Sequence, residues 1–153
     1  QGCAVLVKFT VEEGDMKKIL VAHDGSKPSE KAMRRAFEIA GKFGSSVTIV
    51  SVIPDFYLAD IMETDRARIV RTLTDDAKKM LERIKSRHQG SHPLKTVLKK
   101  GNPAEVVIEE ARKMKASLII TGSHGRHGAQ KFLLGSVSSK IVDHADCSVL
   151  VVK

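Results

Sequence analysis

Short runs of β-branched and aliphatic residues alternate along this chain with longer stretches whose apolar side chains recur every three or four positions. Lys17–His23 (KKILVAH) reads as a buried strand that ends in a turn at Asp24-Gly25-Ser26. A helix is predicted over about Lys27–Phe43, with Ala32, Ala36, Ile39, Ala40 and Phe43 on one face and Gly44 as its stop. Val47–Ile53 (VTIVSVI) is a second strand, and Pro54–Met62 is irregular. Glu63–Arg87 predicts a long helix with a stripe of Val70, Leu73, Ala77, Met80, Leu81 and Ile84.

Lys95–Lys100 is the third strand. Asn102-Pro103-Ala104-Glu105 starts a helix by a recognisable mechanism, a capping side chain followed by proline and then an acid in the first turn. Ala104, Val107, Ile108, Ala111 and Met114 should face the core. Leu118–Thr121 and Ser148–Val152 are the fourth and fifth strands, with a helix near Ser136–His144 between them. Alternating strands and helices, with strands apolar throughout, predict an α/β fold. Its form is a doubly wound five-stranded parallel sheet, order 3-2-1-4-5, with helices on both faces in a Rossmann-like arrangement.

Residues 16–153 form the expected domain, and residues 1–15 stand apart. Met16 reads like a natural start, which makes the leading segment a cloning remnant or upstream translation. Against that, Val5, Val7, Phe9 and Val11 alternate onto one face as an additional strand would. Both readings stay open.

The length, 153 residues, suits one domain of about the commonest size. Cys3 and Cys147 share no motif spacing, so a reduced cytoplasmic setting is expected. No apolar run approaches the roughly 18 residues a membrane span needs, and no secretory leader is evident. The formal net charge is +8, from 26 Lys+Arg against 18 Asp+Glu, which favours anionic partners. The cations are interleaved with acids along helical stretches, and aromatics are only 4%, so nucleic acid is a disfavoured partner.

Chemistry concentrates in two loops that follow strand ends. One is Asp24-Gly25-Ser26; the other runs from Gly122-Ser123-His124-Gly125-Arg126-His127-Gly128 to Gly135-Ser136. A polyphosphate needs several backbone N–H groups converging without side chains in the way, and glycine supplies both close approach and positive φ. A helix beginning at Ser136 would add its N-terminal amides. Ser136 and Ser138 would donate hydroxyl hydrogen bonds, with countercharge from Arg126 or Lys131.

Gly122-x-x-Gly125, nine residues, then Gly135-Ser136 resembles the ATP-binding signature of universal stress proteins. ILVAHDGS at Ile19–Ser26, VTIVSVI at Val47–Ile53, KGNPAEVVIEEA at Lys100–Ala111 and the ending CSVLVVK resemble that family too, in its order, over about Met16 to Lys153. The resemblance implies that Asp24 contacts the nucleoside, that Val47 meets adenine through its backbone and that Ala22 and Thr121 flank the base. It implies a phosphate cradle of Gly122, Gly125, Gly135, Ser136 and Val137. The expected ligand is ATP, with AMP or ADP as alternatives, and with Mg²⁺ or Mn²⁺ carried by the nucleotide near Asp24 or Ser136. It also implies a homodimer through the last strand, Val149–Val152, which reads as an edge.

No protein-held metal is expected. His124-x-x-His127 lacks a third ligand, and Cys147, near His144, reads as a small buried residue opening the last strand. Neither G-x-x-x-x-G-K-[ST] nor G-x-G-x-x-G after the first strand occurs, which argues against a P-loop ATPase and a dinucleotide site. No nucleophile–base pair is evident, and Ser26 reads as a helix cap. The function expected is a nucleotide-dependent regulatory or sensor domain in the stress response, without catalytic residues. The alternatives are an interaction module binding AMP or another adenosine ligand, and a slow ATPase.

Overall fold

The computed structural model describes residues 4–8, 16–55, 62–88, 90, 92–125 and 134–153, the first of these segments by its backbone. In chain order the elements are β1 (Ala4–Lys8), β2 (Lys18–Ala22), α1 (Lys27–Phe43), β3 (Ser46–Pro54) and α2 (Glu63–Arg87). There follow β4 (Leu94–Gly101), α3 (Pro103–Met114), β5 (Leu118–Gly122), α4 (Ser136–His144) and β6 (Ser148–Val152). The sheet order is β1-β6-β5-β2-β3-β4. The five strands from β2 onward are mutually parallel and reproduce the expected 3-2-1-4-5 order.

Successive residues of the central strands supply the two faces in turn. Ile19 and Val21 pack with α1 and α2 through Ala32, Ala36, Leu81 and Ile84. Leu20 points the other way, into a cluster with Val107, Ile108 and Ala111 of α3 and Ile141 of α4. Period-two alternation on a strand buried from both sides therefore builds two cores.

The helix ends follow local chemistry. Ser26 caps α1, its Oγ accepting the Ser29 N–H at 3.3 Å, and Gly44 ends that helix at φ 66°. Asn102 Oδ1 accepts from the amides of Ala104 (3.2 Å) and Glu105 (3.4 Å). The C-cap of α3 is unusual: Lys115, φ 53° and ψ 56°, occupies the left-handed region where glycine is the usual residue.

Two expectations need correction. The buried stripe of α1 is Ser29, Ala32, Met33, Ala36 and Ala40, whereas Phe43 is 61% exposed. Phe43 lies at the right angle around the helix axis, but it is the last residue before Gly44 turns the chain towards β3, an end effect that periodicity does not see. Nor is β6 an edge. β1 pairs antiparallel along its outer side, Ala4 opposite Val152 and Leu6 opposite Leu150, with a register shift between Leu6 and Lys8. The edges of the described sheet are β1 and β4.

Gly122 sets the distance between sheet and helix. A Cβ there would lie 2.8 Å from the Pro28 carbonyl carbon and 2.9 Å from the Ser29 nitrogen, both backbone atoms of the first turn of α1. Gly122→Ala should therefore destabilise the fold by about 2 kcal/mol, as overpacking against backbone does. Urea unfolding with an unchanged m-value checks this.

Candidate functional site

The order β6-β5-β2-β3 places the switch in winding direction between β2 and β5, and the loops leaving their carboxyl ends lie side by side. From β2 the chain enters Asp24-Gly25-Ser26, Gly25 taking φ 80°. Asp24 Oδ1 accepts the Ser26 N–H at 3.0 Å, and the Ser29 hydroxyl donates to the Ser26 carbonyl at 2.9 Å. From β5 the chain enters Ser123-His124-Gly125. A Cβ at Gly125 would stand 3.0 Å from Asp24 Oδ2, so the carboxylate faces bare backbone across the gap between the loops.

Burial works to raise the Asp24 carboxyl, and it is outweighed. The hydroxyl and amide of Ser26, the hydroxyl of Ser29 and, least of these, the electrostatic influence of His23 hold the group below the usual carboxylate value. A folded-state value depressed in this way gives stability that is complete above the unfolded-state value and is lost as pH falls through the folded one. At neutral pH Asp24 is an anion.

The base of the second loop is pinned. The Gly135 N–H donates to the Ser123 carbonyl at 2.8 Å, and the Ser123 N–H donates to the Val152 carbonyl at 2.8 Å. The Ser138 hydroxyl reaches the carbonyls of Ser123 (3.1 Å) and Gly135 (2.9 Å). A Cβ at Gly135 would meet the Ser123 oxygen at 3.2 Å. Gly135 is also the N-cap of α4 and, having no side chain, makes no capping hydrogen bond to its first-turn amides. The His124 ring takes one partner through Nδ1, Ser123 Oγ at 2.8 Å; its Nε2 is buried without a hydrogen-bond partner. The Ser26 hydroxyl, at the head of α1, lies 3.5 Å from the His124 carbonyl.

Of the residues singled out by sequence, Ala22, Asp24, Thr121, Gly122, Gly125, Gly135, Ser136 and Val137 come together at this end of the sheet. Arg126, His127 and Lys131 lie outside the described residues. Val47 does not join the group. It sits at the start of β3, paired with Ile19 and 1% exposed, at the opposite end of the sheet. Residues at the level of Asp24 are Val50, whose carbonyl accepts the His23 N–H at 2.9 Å, and Ser51 and Val52 beyond it. Three residues of strand, about 10 Å, separate Val47 from Val50.

Ser138 is corrected as well. It is 3% exposed and its hydroxyl proton is engaged by protein carbonyls, so its contribution is to hold the loop base closed. Positive φ, which glycine permits, is used sparingly in these loops. Among the described glycines of the two loops, only Gly25 adopts it. At the other three the missing Cβ matters, and at Gly122 the space goes to α1 itself. Sequence reading missed Ser123, whose carbonyl and amide tie β5, β6 and α4 together, although it lies inside the glycine motif. It also drew nothing from His23, which is 2% exposed with Nε2 3.3 Å from Glu30 Oε1.

No group of three or more His, Cys, Asp or Glu side chains converges among the described residues, and no described helix is long and apolar enough to cross a membrane.

Comparison with known proteins places this geometry among relatives. A universal stress protein of Methanocaldococcus jannaschii is 32% identical over 139 residues, which cover 90% of this chain and 82% of its own. The solved structure of universal stress protein UspA from Lactobacillus plantarum superposes with a TM-score of 0.82 at 26% identity, covering 90% of this chain and 98% of that one. A universal stress protein solved in complex with cAMP shares the fold, with a TM-score of 0.67 at 22% identity over 90% of this chain and 97% of its own. The model of the universal stress protein family matches residues 16–153. The chain belongs to the universal stress protein family.

Proposed function

We propose that this protein binds an adenine nucleotide, ATP in the first instance, between the Asp24–Ser26 loop and the Ser123–Gly125 turn, and that it works as a nucleotide-dependent regulatory domain in the cytoplasmic stress response. The observation that carries this reading is the uncapped start of α4 at Gly135, set beside a bare Gly125 and the unpartnered Nε2 of His124. Among the described residues, neither the first-turn amides nor the buried ring nitrogen has a protein partner, and phosphate oxygens would satisfy them together. Asp24 faces the same gap as an anion, suited to accept from a ribose hydroxyl or to help hold a Mg²⁺ or Mn²⁺ that arrives with the phosphates. Adenine would lie over the carboxyl end of β3, beside Val50 and Val52, with Ala22 and Thr121 below it.

Among the described residues, the one serine–histidine side-chain contact at the site is not arranged for catalysis. Ser123 Oγ and His124 Nδ1 are hydrogen-bonded, but Ser123 is 2% exposed, too enclosed to attack a ligand. That a structurally similar family member was solved with cAMP supports a nucleotide as the ligand class. Two copies would pair through β6 only where β1 leaves that edge.

Millimolar ATP with Mg²⁺, at about 100 times its dissociation constant, should stabilise the fold by about 2.7 kcal/mol. That corresponds to a rise in Tm of about 5–10 °C for a chain of this size. In Gly125→Asp, which sets a second carboxylate against Asp24, the rise should vanish while the protein alone still melts cooperatively. An unchanged Tm of the natural chain with ATP, ADP and AMP would reject the reading. Asp24→Asn keeps the shape of the side chain and removes its charge. By calorimetric titration at neutral pH it should weaken ATP on the order of tenfold, the value of one hydrogen bond involving a charged group.

A further inference from the structure

At the end of the sheet away from the nucleotide loops, the starts of β2, β3 and β4 and the finish of α3 enclose a groove of about 640 Å³. Four lysines form its rim: Lys18 from β2, Lys95 from β4, and Lys113 and Lys115 at the end of α3. Pro93 and Met114 give it an aliphatic floor. No acid and no aromatic residue is among the described residues that line it.

Part of this charge has a structural use. Lys18 Nζ donates to the Met114 carbonyl at 3.0 Å, closing the negative end of α3, and Lys113 pairs with Glu109 at 2.7 Å and Glu110 at 3.6 Å. Lys95 and Lys115 make no ion pair with any described residue. Lys115 also sits at φ 53°, where a glycine would relieve the backbone, so its ammonium is placed on the rim at a cost to the fold. A strained lysine unpaired among the described residues, on the same groove as a second such lysine and above an apolar floor, is the arrangement expected of a surface that awaits an anion.

We infer that this groove docks an acidic, aliphatic-containing segment of a partner protein, whose carboxylates meet Lys95 and Lys115 and whose apolar side chains rest on Pro93 and Met114. Charge complementarity selects the acid. The floor selects a peptide over a nucleic acid, because among the described lining residues there is no aromatic ring to stack a base and no arginine to grip a phosphate in two-pronged fashion. The groove and the nucleotide loops lie at opposite ends of the same strands, so both could be occupied at once.

The test uses the full chain and a fluorescein-labelled peptide of repeated Glu-Leu-Glu-Asp, read by fluorescence anisotropy at low and high salt. Binding should weaken with salt. Lys115→Gly should melt at a higher temperature than the natural chain and yet bind the peptide about two- to fivefold more weakly. Lys95→Gln should weaken it by a similar factor without the gain in Tm. A higher Tm for Lys115→Gly with undiminished affinity would overturn the inference. So would absence of peptide binding to the natural chain, or tighter binding of a single-stranded oligonucleotide of equal charge.

Discussion

The close passage of β5 over the first turn of α1, at Gly122, is the contact on which the rest of the site depends. With only hydrogen on Gly122, the strand end lies against the backbone of Pro28 and Ser29. That proximity sets the Ser26 hydroxyl within reach of the His124 carbonyl and Asp24 against Gly125. The loop from β5 is then tied back through Ser123 to Val152 and Gly135. Two helix N-termini and two strand ends are thereby drawn to one place, where partial positive charge from the helices meets one fixed carboxylate. A methyl group at residue 122 would disturb each of these relations, because the obstructing atoms are backbone and cannot rotate away.

Charge is divided between the two ends of the sheet. At the carboxyl ends the described site carries Asp24 as an anion beside the start of α4, which no side chain caps. At the amino ends lysines gather around the finish of α3, partly to satisfy its carbonyls and partly in excess of that need. The net charge of +8 is therefore unevenly expressed. A count of cations along the helices describes a solvated surface, and only the folding of β2, β4 and α3 onto one another collects four of those cations at a rim.

The edges of the sheet are handled in two ways. β4 presents Lys95, Lys99 and Lys100 along an outer strand, charges that resist pairing with another chain. β6, short and apolar, is covered by β1. The alternation of Val5 and Val7 was compatible with a strand, but nothing local says which edge it joins. Pairing is a relation between segments more than a hundred residues apart, decided by the direction each strand leaves the sheet and by which edge is otherwise open.

The chain's own order of residues determined its elements and their fold class. Ser26, Pro28 and Gly44 bound α1; Asn102 and Pro103 start α3; apolar runs mark the parallel strands. Each of these is a local effect, a cap, a fixed φ or a period, and so is visible in a window of a few residues. Sequence spacing likewise singled out Gly125 and Gly135, which the fold brings beside Asp24 and Ser123. Register, by contrast, is set between strands. VTIVSVI is equally apolar at both ends, so only the pairing of Ala22 with Val50 shows that Val47 lies far from Asp24 and that Val50 and Val52 lie near it. The part played by each glycine was hidden for the same reason. Whether a missing Cβ makes room for a ligand or for a helix depends on what lies opposite, and at Gly122 that is Pro28, placed there by the packing of the whole domain.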